Sequence, residues 1–425
     1  MIKHKRVYYI VSTMFILLCI ERAGRFFWHG LQILHPYDIP IAIIFLWGWH
    51  FRKSIRRIGR SASKILKISH LLIIICTGYL VYLFLIPTAE YLPNFDSEPV
   101  LAPLVKLWPY LQLAFWSIIG MHFVSLGYAN KLRKVIILGS SLFIIVFLYR
   151  VAGFPNISPS RLHSAFMGMI THFLLAVCVY LIVLKKDILK RISLSLIGIV
   201  LLFIPILGAL RGASFGAILV ASIAYALSSR KSIKSKLSVL VPLVFSLILF
   251  IALFRGRFST RFREENPYGY STYSQVITRG FTPETATAQL RLNWWSASFE
   301  VLEKSPLVGW NMTYKFRRTP SSPITPARGV HNFFVSAFLD GGLILFAPIV
   351  LLFMIPLFRG YTRIRSGEIG LTIPFCWLLA IIIERMTNTF SYGLVASRIS
   401  AVVFGYCVGI LVVPSNGNVH PSINE

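Results

Sequence analysis

Long apolar runs recur from one end of this chain to the other, and they limit its folds more than any other feature. "VYYIVSTMFILLCI", "LLIIICTGYLVYLFLI" and "LILFAPIVLLFMIPL" are three of them. Runs of this kind suit the ~30 Å hydrocarbon core of a bilayer, which about 20 helical residues cross. Inside lipid, every backbone N–H and C=O must find its partner within the protein, and a helix does so alone. The chain is therefore read as an all-α polytopic membrane protein. Of its 425 residues 56% are hydrophobic and 14% charged, whereas a soluble domain carries about 25% charged residues. The run from Val7 meets Glu21 and Arg22 with no small-residue cleavage site. It is expected to be a first span rather than a cleaved leader.

About twelve transmembrane helices are expected, near 7–20, 36–51, 68–88, 109–128, 135–150, 163–184, 192–210, 212–227, 237–254, 332–357, 371–390 and 393–413. A net charge of +28 suggests nucleic acid at first sight, but more than half of the 43 Lys and Arg fall at the start and on alternate loops. Examples are "RKSIRRIGRSASKILK", "KLRK", "KKDILKR" and "RGYTRIR". The positive-inside rule accounts for that pattern and puts both N and C termini in the cytoplasm, with no nucleic-acid partner. Cys19, Cys76, Cys178, Cys376 and Cys407 sit singly inside apolar runs, as membrane-packing residues rather than a disulfide or zinc framework.

The organisation read from this pattern is a membrane bundle of about nine spans over residues 1–254 and an extracytoplasmic loop over 255–330. The remaining spans follow over 331–413, then a disordered cytoplasmic tail over 414–425. Loops longer than about 12–15 residues are usually functional or disordered. This one contains "TPETATAQLRLNWWSASFEVLEKSP", a helix with Thr282 as N-cap, Pro283 at its first position and Pro306 as its stop. Leu290, Trp294, Ala297 and Val301 share one face, so the helix is amphipathic and expected to lie on the bilayer.

Three basic groups then fall on one side of the membrane. Arg211 sits between two apolar runs, Arg291 is on the loop helix, and His331 opens the span "GVHNFFVSAFLDGGLILF". Two readings fit Arg211: a positive anchor paired with a carboxylate such as Asp340 or Glu384, or a phosphate ligand, for which the guanidinium fork is suited. Two also fit His331: an interfacial polar residue, or a general base kept neutral by neighbouring guanidinium groups. Asn332 can cap the helix or orient a substrate. Asp340 is nine residues on, roughly 13 Å deeper at ~1.5 Å rise per residue. It is expected to face the interior and pair with an arginine or polar backbone. "DSE" at Asp96–Glu98 reads as a solvated turn more readily than as a metal site.

At these residues the chain resembles the O-antigen ligase and polymerase superfamily of membrane glycosyltransferases. "HNFFVSAFLDGG" fits that signature through His331, Asn332, Asp340 and Gly342, although Leu345 stands where a small or polar residue is usual. "QLRLNWWSASFEVLEKSPLVGW" is similar to the family's loop helix through Arg291 and Trp295, and to its Pro-Leu-x-Gly through Pro306, Leu307 and Gly309. "RGASFGAIL" is similar to its Arg-Gly-Ala segment at Arg211, with Leu210 in place of a Ser or Thr.

The resemblance implies an inverting, metal-independent glycosyltransferase of the cell inner membrane that needs no cofactor, its site on the periplasmic face. Its donor would be a glycan on undecaprenyl diphosphate. Arg211 and Arg291 would bind the diphosphate, His331 would be the catalytic base, and Asn332, Asp340, Trp295 and Gly342 would support them. The acceptor would be lipid A–core for a ligase, the favoured reading, or another lipid-linked glycan for a polymerase. A polysaccharide or lipid transporter is the alternative from another class, since twelve spans suit one. Transporters, however, place binding groups at the midplane on broken helices in repeated halves.

Overall fold

The structure, a computed structural model, describes residues 2–24, 59–85, 102–153, 164–185, 187–207, 211–229, 299, 302–303, 305–309, 332–387 and 394–414. Among them every regular element is helical. In chain order they are α1 (Ile2–Gly24), α2 (Arg60–Leu85), α3 (Ala102–Ser125), α4 (Ala129–Gly153), α5 (Ser164–Leu184), α6 (Ile188–Leu207) and α7 (Arg211–Ser228). There follow α8 (Phe333–Arg365), a 3-10 turn at Ile369–Leu371, α9 (Thr372–Thr387) and α10 (Leu394–Val412). The spans expected at 36–51 and 237–254, most of the long loop, the Asp96–Glu98 turn and the tail after residue 414 lie outside the described residues.

Among the described residues four helices are long and apolar enough to cross a membrane: Arg60–Tyr82, Ala129–Tyr149, Phe333–Arg365 and Ile369–Met386. Their outward faces are greasy. Leu71, Ile74 and Val81 on α2, Leu138, Ile145 and Leu148 on α4, and Leu351, Met354 and Phe358 on α8 are all exposed. Water disfavours so continuous an apolar surface, whereas lipid tails suit it. The five cysteines are buried free thiols, as their place in apolar runs suggested.

Lipid gives helices no hydrophobic drive to associate, so close backbone approach and internal hydrogen bonds hold the bundle. At the centre α3 lies against α10 through facing glycines. A side chain on Gly405 would collide with the Trp116 carbonyl, and one on Gly409 with the Gly120 carbonyl. Trp377 on α9 is fully buried, and its indole N–H donates to the Phe173 carbonyl of α5 at 2.9 Å. At one end of the bundle Arg363, 6% exposed, is fully engaged. Its Nε donates to Glu368 at 2.8 Å, and its Nη1 donates to the Ile410, Leu411 and Val413 carbonyls at 3.0, 3.1 and 2.9 Å. One guanidinium thus caps the C-terminus of α10 and ties it to the end of α8.

The main departure from the sequence reading lies in α8. A single 33-residue helix would be ~50 Å long, too long for a bilayer core. Its regularity breaks at Gly341 (φ −142°, ψ 19°) and Gly342 (φ 56°, ψ −156°), and the chain reverses there. Phe338 and Phe346 have ring centroids 5.1 Å apart, and Phe334 and Phe353 5.4 Å apart. In a straight helix eight residues already separate side chains by ~12 Å. Thus α8 is a hairpin: a short limb (333–340) folds back on a long limb (343–365), and the long limb alone is the span. The span expected at 332–357 is corrected accordingly. So is the depth of Asp340, which sits beside the reversal, whereas Phe333 lies level with Phe353, about 15 Å along the long limb.

The end of the long loop makes the reversal possible. The turn Pro306–Gly309 seats against it, and the exposed N–H groups of the long limb's first turn find partners there. Leu343 N–H donates to the Pro306 carbonyl at 2.9 Å, and Ile344 N–H to the Leu307 carbonyl at 3.1 Å. The Tyr79 hydroxyl of α2 shares its proton between the Val308 carbonyl at 3.0 Å and the Gly341 carbonyl at 3.1 Å. Gly309 (φ 68°) and Gly342 are in mutual contact, and a Cβ on either would strike the other's backbone nitrogen. Gly342 also occupies a region of backbone space open essentially to glycine alone. Leu302, just before the turn, is 3% exposed, so the loop's last residues pack into the bundle.

Two substitutions test these contacts. Arg363→Ala leaves the Glu368 carboxylate and three carbonyls without their donor. It is expected to destabilise the detergent-solubilised protein by on the order of 3 kcal/mol in thermal melting, with little recovery in Arg363→Lys, which lacks the fork. Gly342→Ala is expected to cost at least ~1–3 kcal/mol from backbone strain, beyond the collision with the turn. A melting temperature unchanged from wild type would contradict the hairpin.

Candidate functional site

Two of the helix starts that carry expected site residues, those of α7 and of the short limb, approach α9 about midway along the long limb of α8. Arg211 is the first residue of α7. Five residues into that helix, Gly216 lies against the His172 ring of α5 and the Ile383 side chain of α9. Two residues further along α9, Arg385 holds its guanidinium 4.7 Å from the Phe333 ring centroid, at the start of the short limb. The second turn of α7, at Gly216, and the start of the short limb thus meet the same turn of α9. The side chains of Arg211, Arg291, Trp295 and His331 lie outside the described residues.

Asn332 is buried and caps the short limb. Its Oδ1 accepts from Phe334 N–H at 3.0 Å and from Val335 N–H at 3.2 Å. Of the two roles open to it in the sequence, the structure displays the capping one. It satisfies two of the four orphan N–H groups at a helix start, and so fixes the backbone next to His331. Asp340, at the other end of the limb, accepts from the Tyr110 hydroxyl of α3 at 2.8 Å, a partner that the sequence reading did not name. The Tyr110 ring also lies against Phe333, centroids 5.3 Å apart. One tyrosine therefore touches both ends of the short limb. Gly342 serves the reversal, and Leu345, where the family pattern departs, is fully buried in the core.

Three groups of this region escaped the sequence reading: Arg385, Tyr110 and Tyr79. Arg385 is 1% exposed, and its Nη2 donates to the Ser400 hydroxyl of α10 at 3.0 Å. A charge inside the run "LLAIIIERMTN" is itself a signal, because ionisable residues within spans are rare and usually functional. Glu384 beside it, offered as a partner for Arg211, is half-buried. Tyr110 and Tyr79 gave no such signal, since tyrosine is common near membrane surfaces. Tyr110→Phe removes one hydroxyl from Asp340 and is expected to cost about 1.5–3 kcal/mol, the range for a hydrogen bond to a charged group. Melting that matches wild type would show that Asp340 does not depend on it.

In a comparison with protein-family models, residues 206–350 match the family described as O-antigen ligase. That stretch is about a third of the chain and runs from just before Arg211, through the loop, into the long limb of α8. No curated protein matches the chain. The matched region contains each of the three motifs that carry the resemblance, so the match supports the likeness to the O-antigen ligase superfamily over that stretch.

Proposed function

We propose that the protein transfers a glycan from undecaprenyl diphosphate to a sugar hydroxyl at the extracytoplasmic face of the cell inner membrane. The family match over residues 206–350 carries this reading, because it spans Arg211, Arg291 and His331 together. The gathering of the α7 and short-limb starts around one turn of α9 supports it. Arg211 and Arg291 bind the diphosphate, whose oxygens suit guanidinium forks, and stabilise its charge as it departs. His331 takes the proton of the acceptor hydroxyl as its oxygen attacks the anomeric carbon. The bond from that carbon to the phosphate oxygen breaks, undecaprenyl diphosphate leaves, and the configuration inverts. The positive charge comes from arginine, without a metal. Seating the short limb's start inside the bundle keeps bulk water from the anomeric carbon, which favours transfer over hydrolysis.

Ligation to lipid A–core is the favoured outcome, and polymerisation of lipid-linked repeats uses the same chemistry. The re-entrant limb favours a second reading, since transporters line their sites with broken helices. Here, however, the N–H groups freed at the break are taken by the Pro306–Leu307 turn, and Asn332 caps the limb's start. Those N–H groups are thereby not free to bind cargo, which supports the transfer reading.

The test is genetic and chemical. Deletion is expected to strip all O-antigen from the core on a lipopolysaccharide gel; core bearing a single repeat would assign a polymerase instead. With purified lipid-linked donor, His331→Ala is expected to lower turnover by at least ~10²-fold, the scale of general-base catalysis. Full activity in that variant would remove the base from His331.

A further inference from the structure

We infer that Arg385 is a positioning residue of this site, holding the short limb of α8, and with it His331, in place. The inference rests on the glycan-transfer reading, in which His331 is the base. Arg385 lies close to both limbs of the hairpin at once. Its guanidinium is 4.7 Å from the ring centroid of Phe333 on the short limb and 6.0 Å from that of Phe353 on the long limb. Its Nη2 donates to Ser400 on α10 at 3.0 Å. Phe333 is 2% exposed and stands two residues past His331, directly after the cap Asn332. Tyr110 lies against the same ring at 5.3 Å.

A charge at this depth of a membrane protein is costly to keep, and residues of this kind usually mark function. Arginine suits the place in a way that lysine does not. Its planar, weakly hydrated cation can approach aromatic faces while its edge keeps a hydrogen bond. The reversal at Gly341–Gly342 leaves the short limb joined to the long one through two residues only. The Pro306–Gly309 turn holds the bend itself, and the far end of the short limb is placed by side chains, among which Arg385 lies beside a ring from each limb. A small rotation of the short limb moves the base away from the acceptor hydroxyl without altering the arginines that hold the donor.

The experiment is a double-mutant cycle on kcat and donor KM, with full-length protein in lipid nanodiscs and undecaprenyl-diphosphate-linked glycan as donor. Arg385→Gln and Phe333→Leu are each expected to lower kcat about tenfold or more, with donor KM within about twofold of wild type. The double variant is expected to be no worse than the poorer single one, because both remove the same contact. Arg385→Lys, which keeps the charge but loses the planar contact, is expected to fall between wild type and Arg385→Gln. It takes Arg385→Gln's place in the cycle if that variant does not fold. Losses that multiply, a raised donor KM, or wild-type kcat in the single variants would overturn the positioning role while wild-type transfer and its loss in His331→Ala still stood. Absence of transfer by the wild-type protein would overturn the glycan-transfer reading and this inference together.

Discussion

Two glycines and a four-residue turn set the geometry on which the site depends. A helix cannot reverse inside a membrane unless the N–H and C=O groups freed at the bend find other partners. At Gly341–Gly342 they do: the Pro306 and Leu307 carbonyls take the N–H groups of Leu343 and Ile344, and the Tyr79 hydroxyl meets the Gly341 carbonyl. The two chains approach so closely that neither Gly309 nor Gly342 has room for a side chain. The bend therefore needs the loop's last turn as much as its own glycines, and it joins the end of the long loop to the helix bundle.

That join brings together segments far apart in sequence. The short limb begins about 15 Å inside the bundle, where Asn332 caps it and Arg385 and Tyr110 bracket Phe333. Its far end is held by Tyr110 through Asp340. The start of α7 approaches the same turn of α9 from the other side. Charge, cap and aromatic contact thus converge on one short helix from α3, α9 and α10, while the opposite end of the bundle is closed by Arg363.

Much of the fold was legible in the sequence because the bilayer imposes a simple rule on composition. Apolar length alone located α5, α7, α9 and α10 to within three residues at either end. The hairpin was not legible from length. Its short limb is as apolar as its long one, and the Gly-Gly pair reads equally well as a packing contact or a bend. Only the partners of the freed backbone groups decide between them, and these come from a loop some thirty residues earlier. Asn332, Asp340 and Gly342 were recognised as a motif, but their structural roles as cap, tyrosine partner and bend depend on contacts that spacing does not encode. Arg385 is not at the mouth of an expected span, where the motif residues lie. It lies within a span, where its own cost was the signal.

The central claim is that a lipid-linked diphosphate is held beside the start of the short limb of α8. Cryo-electron microscopy of the protein with undecaprenyl-diphosphate-linked glycan bound tests it most directly. The account predicts diphosphate density between the start of α7 and the start of the short limb, with the anomeric carbon facing His331. Density at the Arg363 end, or on the outer lipid-facing surface of α2 or α4, would contradict it.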